Sequence, residues 1–181
     1  ADTDLVIEAA PEKLDLKRDI YADLEEFAPD HTVFASNTSS LPITQIAEAT
    51  DRPEQVVGTH YFNPPVKMDL VEVIYGEGTS DETAELAYEF VEDIDKTPIY
   101  VRKDVRGFVV NTVRGPFGDE AAWMASEGVA TVEAIDAAMV HQRGYPMGPF
   151  ELSDMTGIDI GYDVAKEAGR EVAPIVEEKV E

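Results

Sequence analysis

Cysteine is absent from this sequence of 181 residues, and basic side chains are scarce. The missing thiols exclude disulfides, thiolate nucleophiles and cysteine-ligated metal sites, and we predict no metal site of another kind. With 14 Lys and Arg against 38 Asp and Glu, the formal net charge is −24. A surface this negative repels nucleic acid and anionic membranes, so we expect neither as a partner. No apolar run reaches the roughly 18 residues that a membrane-spanning helix needs.

The signatures of several enzyme classes are also missing. The spacing G-x-G occurs once, at 76–78, where no third glycine follows and an acidic helix is predicted. The sequence contains no P-loop, no H-E-x-x-H and no G-x-S-x-G. These residues therefore lack a complete dinucleotide-binding loop and the marks of P-loop NTPases, zinc peptidases and α/β-hydrolases.

Apolar segments divide the sequence into an alternating part and a helical part. Short apolar runs predict strands, and periodic segments between them predict helices. The predicted strands are 4–10, 32–37, 55–62, 70–74 and 99–101, and the helices between them are 14–27, 42–49 and 80–94. From residue 108 onward every segment predicts a helix. This order indicates an α/β fold, with a parallel sheet in residues 1–103 followed by an all-helical domain in residues 104–181.

His60 and Glu72 are the leading candidates for chemistry. His60 ends an apolar strand, and ligands bind at the carboxyl ends of strands in open α/β sheets, but position alone favours a buried structural histidine equally. Glu72 lies in an apolar strand where an unpaired carboxylate is costly; the alternative is a side chain on the solvent face of an edge strand. The turn at 63–65 would bring Glu72 to His60. A carboxylate on one imidazole nitrogen fixes the tautomer and raises the basicity of the other, as a general base requires.

Polar residues occupy two further positions next to apolar segments. Residues 37–40 end the second strand, where turn and N-cap chemistry is the favoured interpretation and contact with a cofactor is the alternative. Asn111 lies in an apolar stretch that opens a helix, so its amide either bonds to the backbone or reaches a cleft between the domains. His31 and His141 are predicted to be exposed and passive.

Five blocks follow one another along the sequence: TVFASNTSS at 32–40, GTHYFNP at 58–64, LVEVI at 70–74, GFVVN at 107–111 and GYPMGPFEL at 144–152. Together they closely resemble the L-3-hydroxyacyl-CoA dehydrogenases over most of the chain. The resemblance implies a partial Rossmann-type domain, a helical domain that binds substrate and forms a homodimer, and NAD as cofactor. It also implies oxidation of the 3-hydroxyl of an acyl-CoA in fatty-acid β-oxidation, and we expect a cytoplasmic enzyme.

The resemblance also implies roles for individual residues. His60 matches the family's catalytic base and Glu72 the residue that orients it. Ser39 matches the serine that contacts the substrate hydroxyl and the nicotinamide, and Asn111 matches the asparagine that holds the substrate oxygen. The residues that match cofactor contacts are Glu12, Lys17, Ser39 and Asn63.

Two other functions are also compatible with the sequence. One is a related dehydrogenase that acts on a sugar acid, and the other is a non-catalytic helical assembly module. The sequence starts in a strand pattern without Met and ends in a helical stretch. We therefore expect a chain truncated at the N-terminus and also at the C-terminus, inactive by itself and a weak binder of NAD.

Overall fold

A computed structural model describes residues 3–167 and 169–180 of the chain. The chain divides after Thr112 into two compact units, each of which is described by itself. The first unit is α/β and the second is helical, which confirms the fold class predicted from the sequence. The division of residues 1–103 from 104–181 as functional domains stays a prediction.

The first unit is built on one five-stranded sheet with the strands in sequence order. The strands are β1 (Leu5–Glu8), β2 (Val33–Ser36), β3 (Val56–Tyr61), β4 (Leu70–Ile74) and β5 (Thr97–Val101). The helices between them are α1 (Leu14–Phe27), α2 (Ile43–Ala47) and α3 (Asp81–Asp93), with a short 3₁₀ turn at Pro53–Gln55. The predicted elements are all present, and their ends move by at most two residues.

One pair of strands departs from the predicted parallel sheet. β3 and β4 are antiparallel, whereas β1–β2, β2–β3 and β4–β5 are parallel. Eight residues connect β3 to β4, at 62–69. A connection this short makes a hairpin-like return but is too short for the crossover that a parallel pair requires. The sheet is therefore mixed, and β4 lies inside it and not at its edge.

The two faces of the sheet bury separate apolar clusters. One cluster lies under α1 and α2 and includes Tyr21, Phe34, Ile43 and Phe108. The other lies under α3 and includes Val57, Val73 and Ala84 among its members. Because side chains alternate along a strand, His60 and Glu72 belong to the face that carries Phe34 and Ile74. His60 and Glu72 therefore lie on the sheet face that carries the first cluster.

The second unit is helical throughout its described residues. Helix α4 (Val110–Ser126) begins in the first unit and continues into the second, where four more helices follow: α5 (Val132–Arg143), α6 (Pro149–Thr156), α7 (Ile158–Glu167) and α8 (Pro174–Val180). Local signals set the ends of α5: the Thr131 side chain accepts a hydrogen bond from the amide of Ala134, and Gly144 ends the helix at φ +72°. None of the described helices has the length and apolar character to cross a membrane.

Candidate active site

The central feature of the site is a hydrogen bond between two neighbouring strands. His60 on β3 is paired in register with Glu72 on β4, and their side chains point to the same face of the sheet. The Nδ1 atom of His60 lies 2.7 Å from Oε2 of Glu72. The His60 side chain is 4% exposed and that of Glu72 is fully buried. The structure thus brings together the two residues that the sequence placed twelve positions apart, and the interior position of β4 excludes a solvent-facing Glu72.

Both carboxylate oxygens of Glu72 have partners. While Oε2 faces His60, Oε1 accepts hydrogen bonds from the backbone amides of Val109 (2.9 Å) and Val110 (3.0 Å) at the start of α4. A buried carboxylate is tolerated when its charge is compensated and its lone pairs are used. Glu72 meets that condition through the imidazole and two amides.

A strained turn aims these two amides at Glu72. Gly107 adopts φ +78° and Phe108 adopts φ +49°. A bulky residue seldom occupies this left-handed region, and such strain is concentrated at functional sites. The turn also buries the Phe108 ring, 1% exposed, with its centroid 5.6 Å from that of His60. A single distorted segment therefore contacts both members of the pair.

The environment of His60 leaves one ring nitrogen free for chemistry. Phe62 and Phe108 pack against the imidazole at centroid distances of 4.5 Å and 5.6 Å. With Nδ1 engaged by Glu72, Nε2 forms no hydrogen bond to any residue that the structure describes. In the neutral ring, when Nδ1 carries the proton and donates a hydrogen bond to Glu72, the lone pair lies on Nε2. The arrangement is that of an oriented general base.

A second set of contacts surrounds Glu12 and the loop after β2. The Oε1 atom of Glu12 accepts hydrogen bonds from the Thr38 hydroxyl (2.7 Å), the amides of Ser39 and Ser40 (both 2.9 Å) and the Ser40 hydroxyl (3.0 Å). Burial acts to raise the pKa of the Glu12 carboxyl, but these hydrogen bonds outweigh it and hold the pKa below its ordinary value. The ionised carboxylate of Glu12 therefore fixes the position of the loop.

Three more predicted site residues follow β2, β3 and the turn at Phe108, and none of them is hydrogen-bonded to the pair within the described residues. Ser39 is exposed, and its hydroxyl has no hydrogen-bond partner among the described residues. Asn63 is exposed just beyond β3, and Asn111 is half-buried in the first turn of α4. Asn37 ties the ends of β2 and β3 together, since its Oδ1 accepts the amide of Tyr61 at 2.9 Å. None of the polar contacts found in the described ranges joins Ser39, Asn63 or Asn111 to His60.

Lys17 stands apart because it is fully buried. Its Nζ lies 2.7 Å from Oε1 of Glu8, 3.1 Å from the carbonyl oxygen of Ala10 and 3.7 Å from Oε2 of Glu12. The ammonium group therefore faces protein atoms. His31 and His141 are exposed, as predicted, and His31 lies 3.3 Å from a carboxylate oxygen of Asp4.

Sequence reasoning missed the groups that hold Glu72 and Lys17. The amides of Val109 and Val110 are backbone atoms, which no residue type reveals; Gly107 is the one local signal from which the unusual turn could have been inferred. Glu8 lies in a segment that the sequence predicts to be an apolar strand. A charged residue in such a strand is itself a signal for a buried partner, as Glu72 showed.

Comparisons with known proteins cover nearly the whole chain. A family model described as "3-hydroxyacyl-CoA dehydrogenase, NAD binding domain" matches residues 1–105, and one described as "3-hydroxyacyl-CoA dehydrogenase, C-terminal domain" matches residues 107–180. The chain is 47% identical to a fatty acid oxidation complex subunit alpha of Shewanella amazonensis over 99% of its own length and 24% of the relative's. It is 48% identical to the mitochondrial hydroxyacyl-coenzyme A dehydrogenase of Mus musculus over 87% of its length and 50% of the relative's.

The fold matches a solved structure of the same kind. An (S)-3-hydroxybutyryl-CoA dehydrogenase from Ralstonia eutropha superposes with a TM-score of 0.92 at 38% sequence identity, covering 98% of this chain and 65% of that one. The chain thus spans about a quarter to a half of the length of the two curated relatives.

Proposed function

Because this chain belongs to the 3-hydroxyacyl-CoA dehydrogenase family, we propose that the full-length protein interconverts L-3-hydroxyacyl-CoA and 3-ketoacyl-CoA with NAD, as in fatty-acid β-oxidation. The observation that carries the proposal is the buried hydrogen bond between Nδ1 of His60 and Oε2 of Glu72. Oxidation of an alcohol needs a base for the hydroxyl proton, and the free Nε2 of His60 supplies one. Residues 104–181 serve in this proposal as the helical substrate and dimerisation domain.

The residues of this chain act on the proton and on the substrate oxygen. In the oxidation, Nε2 of His60 accepts the hydroxyl proton while Glu72 stabilises the imidazolium that forms. Ser39 and Asn111 donate hydrogen bonds to the substrate oxygen, an electrostatic contribution whose value depends on their being held in place beforehand. NAD, held by Ser39 and Asn63, would supply the acceptor for the hydride that leaves C3 of the substrate. In the reduction, the same imidazolium returns the proton.

The polar groups at the carboxyl edge of the sheet fit a nicotinamide cofactor in part. The exposed hydroxyl of Ser39 and the exposed amide of Asn63 follow β2 and β3, where open α/β sheets present side chains to a dinucleotide. Both groups are free of hydrogen bonds within the described residues. Ser39 and Asn63 would hold the cofactor in this proposal. Lys17 fits less well than these two residues because it is fully buried.

Assembly and location belong to the same proposal. The proposed substrate is an acyl-CoA, and the family resemblance supports a homodimer formed through the helical unit. Apolar side chains on that unit are exposed, with Val113, Val129 and Ile160 at 71%, 62% and 59%. Surface of this kind is compatible with a partner subunit. A cytoplasmic location stays a prediction.

The test is the reduction of acetoacetyl-CoA by NADH in the full-length protein. We expect His60→Ala to lower kcat by about a hundred- to ten-thousandfold, the usual contribution of a positioned proton donor or acceptor, with CoA-ester binding retained. The matched control is His31→Ala, which removes an exposed imidazole and should leave turnover unchanged. Undiminished turnover in His60→Ala would contradict the proposal, and turnover of a sugar acid in place of the CoA ester would assign a different substrate class.

A further inference from the structure

The strained turn that aims two amides at Glu72 has to be held from both sides. Gly107 and Phe108 both have positive φ, +78° and +49°, and strained backbone of this kind persists only where the surrounding structure over-determines it. On the downstream side, Oε1 of Glu72 holds the amides of Val109 and Val110. A second hold is therefore expected on the upstream side of the turn.

Asp104 provides that upstream hold. It is half-buried, and its Oδ2 accepts hydrogen bonds from the backbone amide (2.8 Å) and the side-chain hydroxyl (2.6 Å) of Thr44. Thr44 is the second residue of α2, a position where the backbone amide has no partner within the helix. One carboxylate oxygen thus fastens the segment after β5 to the start of α2.

The Thr44 hydroxyl connects this contact to the strand that carries Glu72. While it donates to Asp104, its oxygen accepts a hydrogen bond from the amide of Glu77 at 3.0 Å, and Glu77 follows the end of β4 by three residues. The helix is itself fixed, because its buried side chains belong to the apolar cluster that contains Phe108. Asp104 is therefore anchored to a part of the first unit that is packed against the sheet.

The segment between Asp104 and the left-handed pair is short and closed by hydrogen bonds. Only two residues, Val105 and Arg106, lie between them. The amide of Phe108 donates to the carbonyl oxygen of Val105 at 3.0 Å, and the Thr112 hydroxyl donates to the carbonyl oxygen of Arg106 at 3.1 Å. A displacement of Asp104 is therefore transmitted through the turn to the amides that follow it.

We propose that Asp104 is a positioning residue for the reaction: by fastening the turn to α2, it keeps the two amides on Glu72 and thereby keeps Glu72 on His60. This inference rests on the proposed function, in which His60 is the base. Asp104 forms no hydrogen bond to either member of the pair among the described residues, so it acts through the backbone. Because a misplacement of about 1 Å can cost on the order of a hundredfold in rate, an indirect hold of this kind is enough to change turnover.

A double-mutant cycle in the full-length protein tests this role. We expect Asp104→Ala to lower kcat for acetoacetyl-CoA reduction by about tenfold, with KM changed by less than about twofold. In the Glu72→Gln background the same substitution should change kcat by less than about twofold, since the carboxylate through which Asp104 acts is then gone. Asp104→Asn, which keeps an oxygen acceptor, should recover part of the loss.

A loss of stability alone would give a different result. Equal losses of kcat in both backgrounds, or no loss in either, would overturn the proposal. Ser80→Ala is the matched control, because it removes a side-chain oxygen that caps α3 at the amide of Thr83, on the opposite face of the sheet. We expect this control to lower Tm and to leave kcat unchanged, since it weakens the unit without releasing the turn.

Thr44→Val reaches the same contact from the other side, in case Asp104→Ala does not fold. It replaces the hydroxyl that donates to Asp104 by a methyl group, while the Thr44 amide still donates to Oδ2. We therefore expect a smaller fall in kcat, about three- to fivefold, which the Glu72→Gln background should again abolish. A fall of the same size in both backgrounds would contradict the assignment.

Amide hydrogen exchange of the full-length protein, measured without substrate or cofactor, separates this inference from the proposed function. We expect exchange at Val109 and Val110 to be about tenfold faster in Asp104→Ala than in wild type, while amides inside β3 and β4 keep their rates. Unchanged rates at these two residues would overturn the proposed hold, and so would an equal acceleration in the strands. This readout stands even if His60→Ala shows that the proposed reaction is wrong.

Discussion

Glu72 shows how a buried charge is made useful. Moving a carboxylate out of water costs several kcal/mol, which is comparable to the free energy of unfolding of a whole domain. In this protein the cost is offset by the His60 imidazole on one oxygen and two amides on the other. The same three contacts also prevent Glu72 from turning away. Its burial and its orienting effect on His60 are therefore one property.

The amide of Val110 offers a direct test of this arrangement. Val110 is the first residue of α4, a helix position that accepts proline. The substitution Val110→Pro deletes the N–H that donates to Glu72. A hydrogen bond to a charged group contributes about 1.5–3 kcal/mol. We expect kcat/KM of the full-length protein for acetoacetyl-CoA to fall by roughly tenfold, because Glu72 then holds His60 less firmly.

The chain offers a matched control for that variant. Val132 is the first residue of α5, and the preceding Thr131 has the extended backbone that a following proline requires. Val132→Pro therefore introduces the same residue at the same helical position away from the pair. We expect it to leave kcat/KM unchanged, and an equal loss in both variants would mean that proline acts through the helices and not through Glu72.

At the scale of elements, the return from β3 to β4 creates the site. Because the two strands run antiparallel, residues twelve apart in sequence become direct cross-strand neighbours. A parallel arrangement would have placed the start of β4 beside the start of β3 and separated His60 from Glu72. The antiparallel pair is therefore the topological condition for the hydrogen bond between His60 and Glu72.

Much of this fold could be predicted from sequence, for identifiable reasons. Apolar runs bounded by polar clusters predict all five strands, and the helix predicted from residue 80 matches α3, where the Ser80 side chain accepts a hydrogen bond from the amide of Thr83. The direction of β4 could have been inferred from the short connection at 62–69. The left-handed turn at Phe108 could not, because nothing local favours that backbone for a bulky residue and only the surrounding packing enforces it.

The site was predictable to the extent that side chains define it. The contact between His60 and Glu72 follows the predicted pairing, while the roles of these two residues and of Ser39 stay predictions. The inward direction of Lys17 could not be predicted, because it depends on Glu8 of a different element, nine residues earlier. Pairings of this kind become visible only when the strand and the helix are packed together.

At the scale of the whole molecule, the dominant feature is a net charge of −24 over 181 residues. Like charges on a compact surface repel one another and disfavour the folded state. Salt shortens the range of this repulsion, from about 10 Å near 0.1 M to about 3 Å near 1 M. The acidity is thus compatible with a protein adapted to a medium rich in salt.

Thermal unfolding in KCl tests that hypothesis. We expect Tm to rise between about 0.1 M and about 1 M KCl, by roughly 2–4 °C for every kcal/mol of repulsion that is screened. Sucrose at matched osmolality is the control, since it is excluded from protein surfaces but screens no charge. A Tm that is flat or falls with KCl would argue against adaptation to salt.

The most direct test of the account is the protonation of His60 itself. In ¹⁵N-labelled chain near neutral pH, long-range ¹H–¹⁵N spectra distinguish a protonated from an unprotonated ring nitrogen, and comparison with His60→Gln assigns its signals among the three histidines. We predict that in the neutral ring Nδ1 carries the proton and donates a hydrogen bond to Glu72, while Nε2 is unprotonated and free to accept a proton. A neutral His60 protonated on Nε2 would contradict the account, because the ring would then have no base to offer the substrate.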